Sequence, residues 1–167
     1  MNVIFLDIDG VLNDLNYFME RHPKVLELYT NKIYDNSDTL KLQRLMLDID
    51  IKKLKILKEI IDETKSLVVI TSSWKTLEVF PYVKNELIKL GIPIIDVTKD
   101  HNFDRGTGIK NYLKEHNVEN YIILDDDIFK DYDEELLSHL IKTSFISKGL
   151  SNNHKEKAIK KLIKINY

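Results

Sequence analysis

Val3-Ile4-Phe5-Leu6-Asp7-Ile8-Asp9-Gly10-Val11-Leu12, near the start of the chain, is an apolar run broken by two acids. Val3–Ile8 is rich in β-branched residues, which predicts a strand buried on both faces. Asp7 and Asp9 then sit two apart, with a glycine behind them where the chain can turn. Working outward, Ile51, Leu54, Leu57, Ile60 and Ile61 share one helical face and predict a helix over 51–64. Leu67–Ile70 reads as the second strand. Leu77, Phe80, Val83, Leu87 and Leu90 mark a helix stopped by Gly91 and Pro93. Ile94–Val97 is the third strand, and Ile109, Tyr112 and Leu113 mark a helix over about 107–116. Tyr121–Leu124 and Ile141–Ser147 read as further strands. Ala158, Ile159, Leu162 and Ile163 give the last helix, capped by Ser151 or Asn153.

Strands alternating with helices predict an α/β fold: a three-layer, Rossmann-like parallel sheet with helices on both faces. We read 1–167 as a single domain. Residues 14–50 are too long for a simple connection. They hold Tyr17, Phe18, Met19, Tyr29, Tyr34, Leu42, Leu45 and Met46, so we expect a small helical insertion or cap over the strand edge.

The 167 residues carry 43% hydrophobic and 31% charged side chains, a globular balance. The net charge of −2 argues against binding nucleic acid by bulk basicity, though it leaves room for a local basic patch. There is no cysteine, which excludes disulfides, thiolate metal sites and cysteine nucleophiles. No apolar run approaches the roughly 18 residues of a membrane helix. The first residues, Met1 to Asp7, show no basic region and meet an acid at once. We therefore expect no secretory signal and a cytoplasmic protein.

The polar residues gather at strand ends. Asp7 and Asp9 follow the first strand, and Thr71, Ser72, Ser73 and Trp74 the second. Arg105 and Gly106 open the third predicted helix, and Asp125, Asp126 and Asp127 follow the fourth strand. In a parallel sheet these ends share one edge, where ligands bind. Carboxylates converging from two strands repel one another unless a hard cation joins them, and oxygen-only ligands suit Mg²⁺. With the cation offsetting charge, a carboxylate can attack phosphorus. A nearby hydroxyl and guanidinium would complete a phosphate cradle, and a helix start at Arg105 would add backbone donors.

In that order, these stretches resemble the four motifs of the haloacid dehalogenase (HAD) superfamily of phosphohydrolases. Asp7-Ile8-Asp9-Gly10-Val11 resembles motif I, Val69-Ile70-Thr71 motif II, Arg105-Gly106 motif III and Leu124-Asp125-Asp126 motif IV. Thr71-Ser72-Ser73-Trp74-Lys75, the run from Arg105 to Leu113, Ile122 to Asp127 and the late Gly149-Leu150 are similar to the HAD domain of Swiss Army knife RNA-repair proteins. The resemblance spans the chain apart from 14–50. It implies Asp7 as nucleophile, through an aspartyl-phosphate, and Asp9 as acid and then base. It implies Thr71 and Ser72 on the phosphoryl group, with Arg105 or Lys110 neutralising it and Lys75 as a third cation. It implies Mg²⁺ on Asp7, the Asp9 backbone carbonyl and Asp126 or Asp125, with Asp127 the remaining choice.

The resemblance thus implies a Mg²⁺-dependent phosphomonoesterase. About 34 residues separate Thr71 from Arg105, too few for a large second cap. A lightly covered site admits a bulky ester, and the resemblance to the RNA-repair HAD domain makes RNA or DNA end phosphates the preferred substrates. Nucleotides or small metabolites are the alternative, and no membrane partner is expected. A non-catalytic, receiver-like signalling module is the reading from another class. It would carry its phospho-acceptor on a middle strand, and here the acids come first and late. Trp74, the five histidines (His101 being the one nearest Arg105) and the lysines of the last helix read as packing or solvated residues. Tyr17, Phe18, Arg21 and His22 serve either a substrate or the insertion's own core.

Overall fold

The computed structural model describes residues 1–31, 36–100 and 104–163. Tyr34, His101 and Lys164 lie outside them. Five strands form the sheet: β1 (Asn2–Leu6), β2 (Leu67–Ile70), β3 (Ile94–Val97), β4 (Asn120–Asp125) and β5 (Leu140–Lys142). The helices are α1 (Leu15–Asn31), α2 (Asp38–Leu47), α3 (Ile51–Thr64), α4 (Phe80–Lys89), α5 (Arg105–Glu115), α6 (Glu134–His139) and α7 (Asn152–Leu162). A short 3₁₀ turn, Ser73–Thr76, follows β2. Strand order is β3-β2-β1-β4-β5 and every pairing is parallel.

Alternation along the central strands builds two cores, because successive side chains face opposite ways. Ile4, Leu6, Ile122 and Leu124 join the apolar faces of α3, α4 and α7. Val3, Phe5, Tyr121 and Ile123 join Ile109 and Tyr112 of α5 and Leu136 of α6. Helices therefore cover both faces of a parallel sheet, the three-layer architecture the pattern predicts. No helix among the described residues is long and apolar enough to cross a membrane.

Two strand ends and one helix differ most from the sequence reading. β1 stops at Leu6, so Asp7 and Ile8 lie past it. The fifth strand spans Leu140–Lys142 and does not reach Ser147. It pairs with β4 alone, and Ser144 turns the chain by accepting the Ser147 N–H at 3.2 Å. Helix α6 was not anticipated. At six residues it is too short to show a period, and its Asp133 cap, which accepts the Leu136 N–H at 3.0 Å, is its clearest signal. The last helix is capped by Ser151, in a reciprocal box with His154.

Residues 14–50 do hold helices, α1 and α2, packed on each other. They are anchored to the rest through buried charge. The Lys53 ammonium lies 2.8 Å from Asp14 and 3.0 Å from Asp50, and all three residues are buried. Arg21 pairs with Asp48 and stacks over the Phe18 ring at 4.1 Å, while the Tyr17 hydroxyl donates to the Ile49 carbonyl at 3.0 Å. Tyr17, Phe18 and Arg21 thus serve the insertion's own packing.

Leu57 is fully buried in the larger core, whereas Ile88 of α4 is 42% exposed. Leu57→Ala should cost about 2–5 kcal/mol in urea unfolding, and Ile88→Ala within about 0.5 kcal/mol.

Candidate active site

Each ladder carries a polar residue one step beyond its last strand position. The Asp7 N–H donates to the Leu124 carbonyl at 2.9 Å, and Thr71 to Leu6, Thr98 to Ile70 and Thr143 to Asp125 at the same distance. Continued backbone pairing therefore lines up Asp7, Thr71, Thr98 and Thr143 along one edge. Asp125 closes β4 beside them and Asp126 follows it.

Asp7 and Asp125 are both buried and share one cation. Arg105 Nη1 lies 2.9 Å from Asp7 Oδ2 and 2.5 Å from Asp125 Oδ2. Arg105 is the first residue of α5, and its guanidinium lies 4.3 Å above the Phe129 ring. Burial works against its charge, but Asp7 and Asp125 overcome that and hold Arg105 above its ordinary value. Asp7 Oδ1 accepts the Ile8 N–H at 2.8 Å, and Asp125 Oδ1 accepts the Asp127 N–H at 3.0 Å. Burial, then the Asp7 charge, push Asp125 up to about 7 and raise Asp126 as well.

Oxygens of Asp7, Asp125 and Asp126 all lie within 4.8 Å of one another. The Asp126 carboxylate packs against Gly10, whose φ is +68°, and a Cβ there would overlap it. The glycine thus meets both a left-handed turn and a close approach. Three carboxylates, two of them raised by crowding, form an oxygen-only donor set that fits a hard divalent cation such as Mg²⁺. Beside them the Thr71 hydroxyl is buried without a hydrogen-bond partner among the described residues. A buried hydroxyl left open at a polar edge fits a phosphoryl oxygen. Ser72 is fully buried next to it, and its hydroxyl accepts the Trp74 N–H at 3.4 Å. That bond caps the 3₁₀ turn.

Asp9 stands apart from the carboxylate cluster. It is exposed, and both its oxygens are held: Oδ2 accepts the Trp74 indole N–H at 2.9 Å and Oδ1 accepts the Asn13 amide at 3.0 Å. Asp48, the partner of Arg21, is near enough for the Asp9 charge to act on it.

The cations separate cleanly. Lys110 pairs with Asp133 at 2.6 Å in a half-exposed contact, so the structure does not bring it to Asp7. Lys75 is 2.6 Å from Asp100, 2.9 Å from the Thr98 hydroxyl and 3.3 Å from the Thr71 carbonyl. Burial pulls its ammonium below the ordinary value. It ties the loops after β2 and β3 together. Asp127 is exposed, and its carboxylate accepts its neighbour Ile128's N–H at 2.8 Å. At the start of α5 the Thr107 N–H is taken by Asp131 at 2.8 Å, so that backbone donor is occupied. On α7, Lys155 pairs with Glu59 at 2.7 Å and Lys157 and Lys160 are exposed, a solvated face.

Sequence reasoning missed Asn13 and the polar end of Trp74. Trp74 was read as packing, and it is buried in the larger core, but its N–H also reaches Asp9. The available signal was a tryptophan three residues past the motif hydroxyl Thr71.

A family model described as the HAD domain in Swiss Army Knife RNA repair proteins matches residues 3–154. Comparison with curated proteins and with solved structures found no match.

Arg105→Met would leave Asp7 and Asp125 buried without their cation. It should cost about 3–5 kcal/mol in metal-free denaturation, whereas Lys110→Met, which breaks a half-exposed pair, should stay within about 0.5 kcal/mol. The opposite ranking would assign the structural cation to Lys110.

Proposed function

Because the chain belongs to the family of HAD domains in Swiss Army Knife RNA repair proteins, we propose that it is a Mg²⁺-dependent phosphomonoesterase acting on nucleic-acid end phosphates. The observation that carries this reading is the buried Asp7 carboxylate. It is bridged to Arg105 and stands within 4.8 Å of Asp125 and Asp126 oxygens.

Asp7, Asp125 and Asp126 would hold Mg²⁺, with the Asp9 carbonyl as the further ligand that the family resemblance implies. When bound, the cation neutralises charge on the phosphoryl oxygens and on the attacking carboxylate. Asp7 attacks phosphorus from its fixed place at the end of β1, and the bond from phosphorus to the ester oxygen breaks. Asp9 gives its proton to that oxygen, so the leaving group departs as an alcohol. The Thr71 hydroxyl, with Ser72 beside it, donates to a phosphoryl oxygen, and Arg105 holds Asp7 in line. In the second step Asp9, now a carboxylate, takes a proton from water. The water oxygen attacks phosphorus, the bond to Asp7 breaks, and inorganic phosphate leaves with Asp7 restored.

The substrate class is supported by two facts. Asp9 is exposed, so the leaving-group side is open to a bulky ester. The family is that of HAD domains in RNA repair proteins.

With Mg²⁺, phosphate release should be faster from end-phosphorylated oligonucleotides than from mononucleotides or an aryl phosphate. Asp7→Asn should abolish release, by about 10⁴-fold or more, while circular dichroism stays native. Release from small esters alone would move the substrate class to nucleotides or metabolites. Turnover retained by purified Asp7→Asn would remove the nucleophile.

A further inference from the structure

Asp9 is an exposed carboxylate held by two side chains that are themselves buried, Trp74 and Asn13. The Trp74 indole N–H reaches Oδ2 at 2.9 Å and the Asn13 amide N–H reaches Oδ1 at 3.0 Å. An indole nitrogen donates and never accepts. Asn13 could in principle present either end of its amide. Its oxygen, however, accepts the Gly10 backbone N–H at 2.8 Å, which turns the nitrogen toward Asp9. Two donors and no acceptor therefore face this carboxylate.

We infer that Trp74 and Asn13 are positioning residues that aim the Asp9 proton at the leaving oxygen. This rests on the proposed role of Asp9 as the acid. Each carboxylate oxygen has one lone pair committed to a donor and one remaining. A proton on Asp9 must occupy a remaining lone pair, and neither partner can accept it. The proton is thus left on a lone pair that Trp74 and Asn13 do not occupy, free for the ester oxygen of the proposed mechanism. Packing alone does not require this arrangement, since a phenylalanine ring would join the larger core without an N–H.

The consequence is a dependence on leaving group. A sugar or alkyl alcohol leaves poorly without a proton, whereas an aryl oxide needs little help. Trp74→Phe keeps an aromatic ring and removes the donor. It should slow single-turnover release of an alkyl or sugar alcohol about tenfold more than that of an aryl oxide, with substrate binding nearly unchanged, as expected for part of the 10²–10⁴ of general acid catalysis. Asn13→Ala should bias the two substrates in the same direction, and it stands in if Trp74→Phe does not fold. Asp9→Asn is the reference and should show a larger bias. An Asp9→Asn variant that slows single-turnover release of both leaving groups equally would remove the acid role itself. An Asp9→Asn bias with no bias in folded Trp74→Phe and Asn13→Ala would overturn the positioning role and leave Asp9 in place. A second readout needs no turnover. Trp74 is the sole tryptophan, so a ¹⁵N spectrum carries a single indole cross-peak. That peak should move in Asp9→Ala, and an unmoved peak would overturn the hydrogen bond.

Discussion

Mutual repulsion among Asp7, Asp125 and Asp126 is the constraint around which this molecule is arranged. Two like charges about 4 Å apart repel by about 4 kcal/mol at an effective dielectric near 20. These three place oxygens within 4.8 Å of one another, two of them on buried residues. Arg105 relieves part of the repulsion by bridging Asp7 and Asp125, and a divalent cation would relieve the rest. The parallel sheet makes the arrangement possible. It brings β1 and β4 side by side and ends both at the same edge, so acids distant in sequence become neighbours. Helix α5 supplies the cation from its first residue, and Gly10 leaves the room that Asp126 occupies. A sheet with β1 and β4 separated would hold neither pair.

The insertion is secured differently. Lys53 of α3 joins it to the sheet domain through buried ion pairs with Asp14 and Asp50, while Arg21–Asp48 ties α1 to the end of α2. Such pairs give little net stability once desolvation is counted, yet breaking one partner is costly. They fix where α1 and α2 stand relative to Asp9. In that geometry Asp9 is held by Trp74 and Asn13 yet exposed, while Asp7 stays buried. Nucleophile and acid, two residues apart, thereby occupy different surroundings.

Much of this was legible in the sequence because the signals were local and repeated. β-Branched runs ending in acids or hydroxyls marked four of the five strands. The helical period marked α3 and its neighbours, and the order of polar strand ends marked the family, whose match covers residues 3–154. The geometry of Arg105 against Lys110 was foreshadowed by the position of Arg105 at a helix start. What stayed hidden depends on contacts distant in sequence or on elements too short to show a period. Trp74 meets Asp9 across 65 positions, and no spacing rule links them. Helix α6 has six residues, too few to show a 3.6-residue period, and β5, expected over Ile141–Ser147, has only three, too few for alternation to fix its bounds. The insertion's helices could be expected from their apolar content, but not their anchoring, since Arg21, Lys53 and Asp14 look like surface residues until a partner is placed beside each.

Phosphoryl transfer to Asp7 is the central claim, and trapping the acyl phosphate tests it most directly. An end-phosphorylated oligonucleotide is mixed with the protein and Mg²⁺, quenched in acid within a single turnover, and treated with borohydride. An acyl phosphate is reduced to homoserine, which peptide mass spectrometry locates. The account predicts homoserine at position 7, absent when the metal is chelated. Phosphate release with residue 7 unmodified throughout, or the label on another carboxylate, would contradict it.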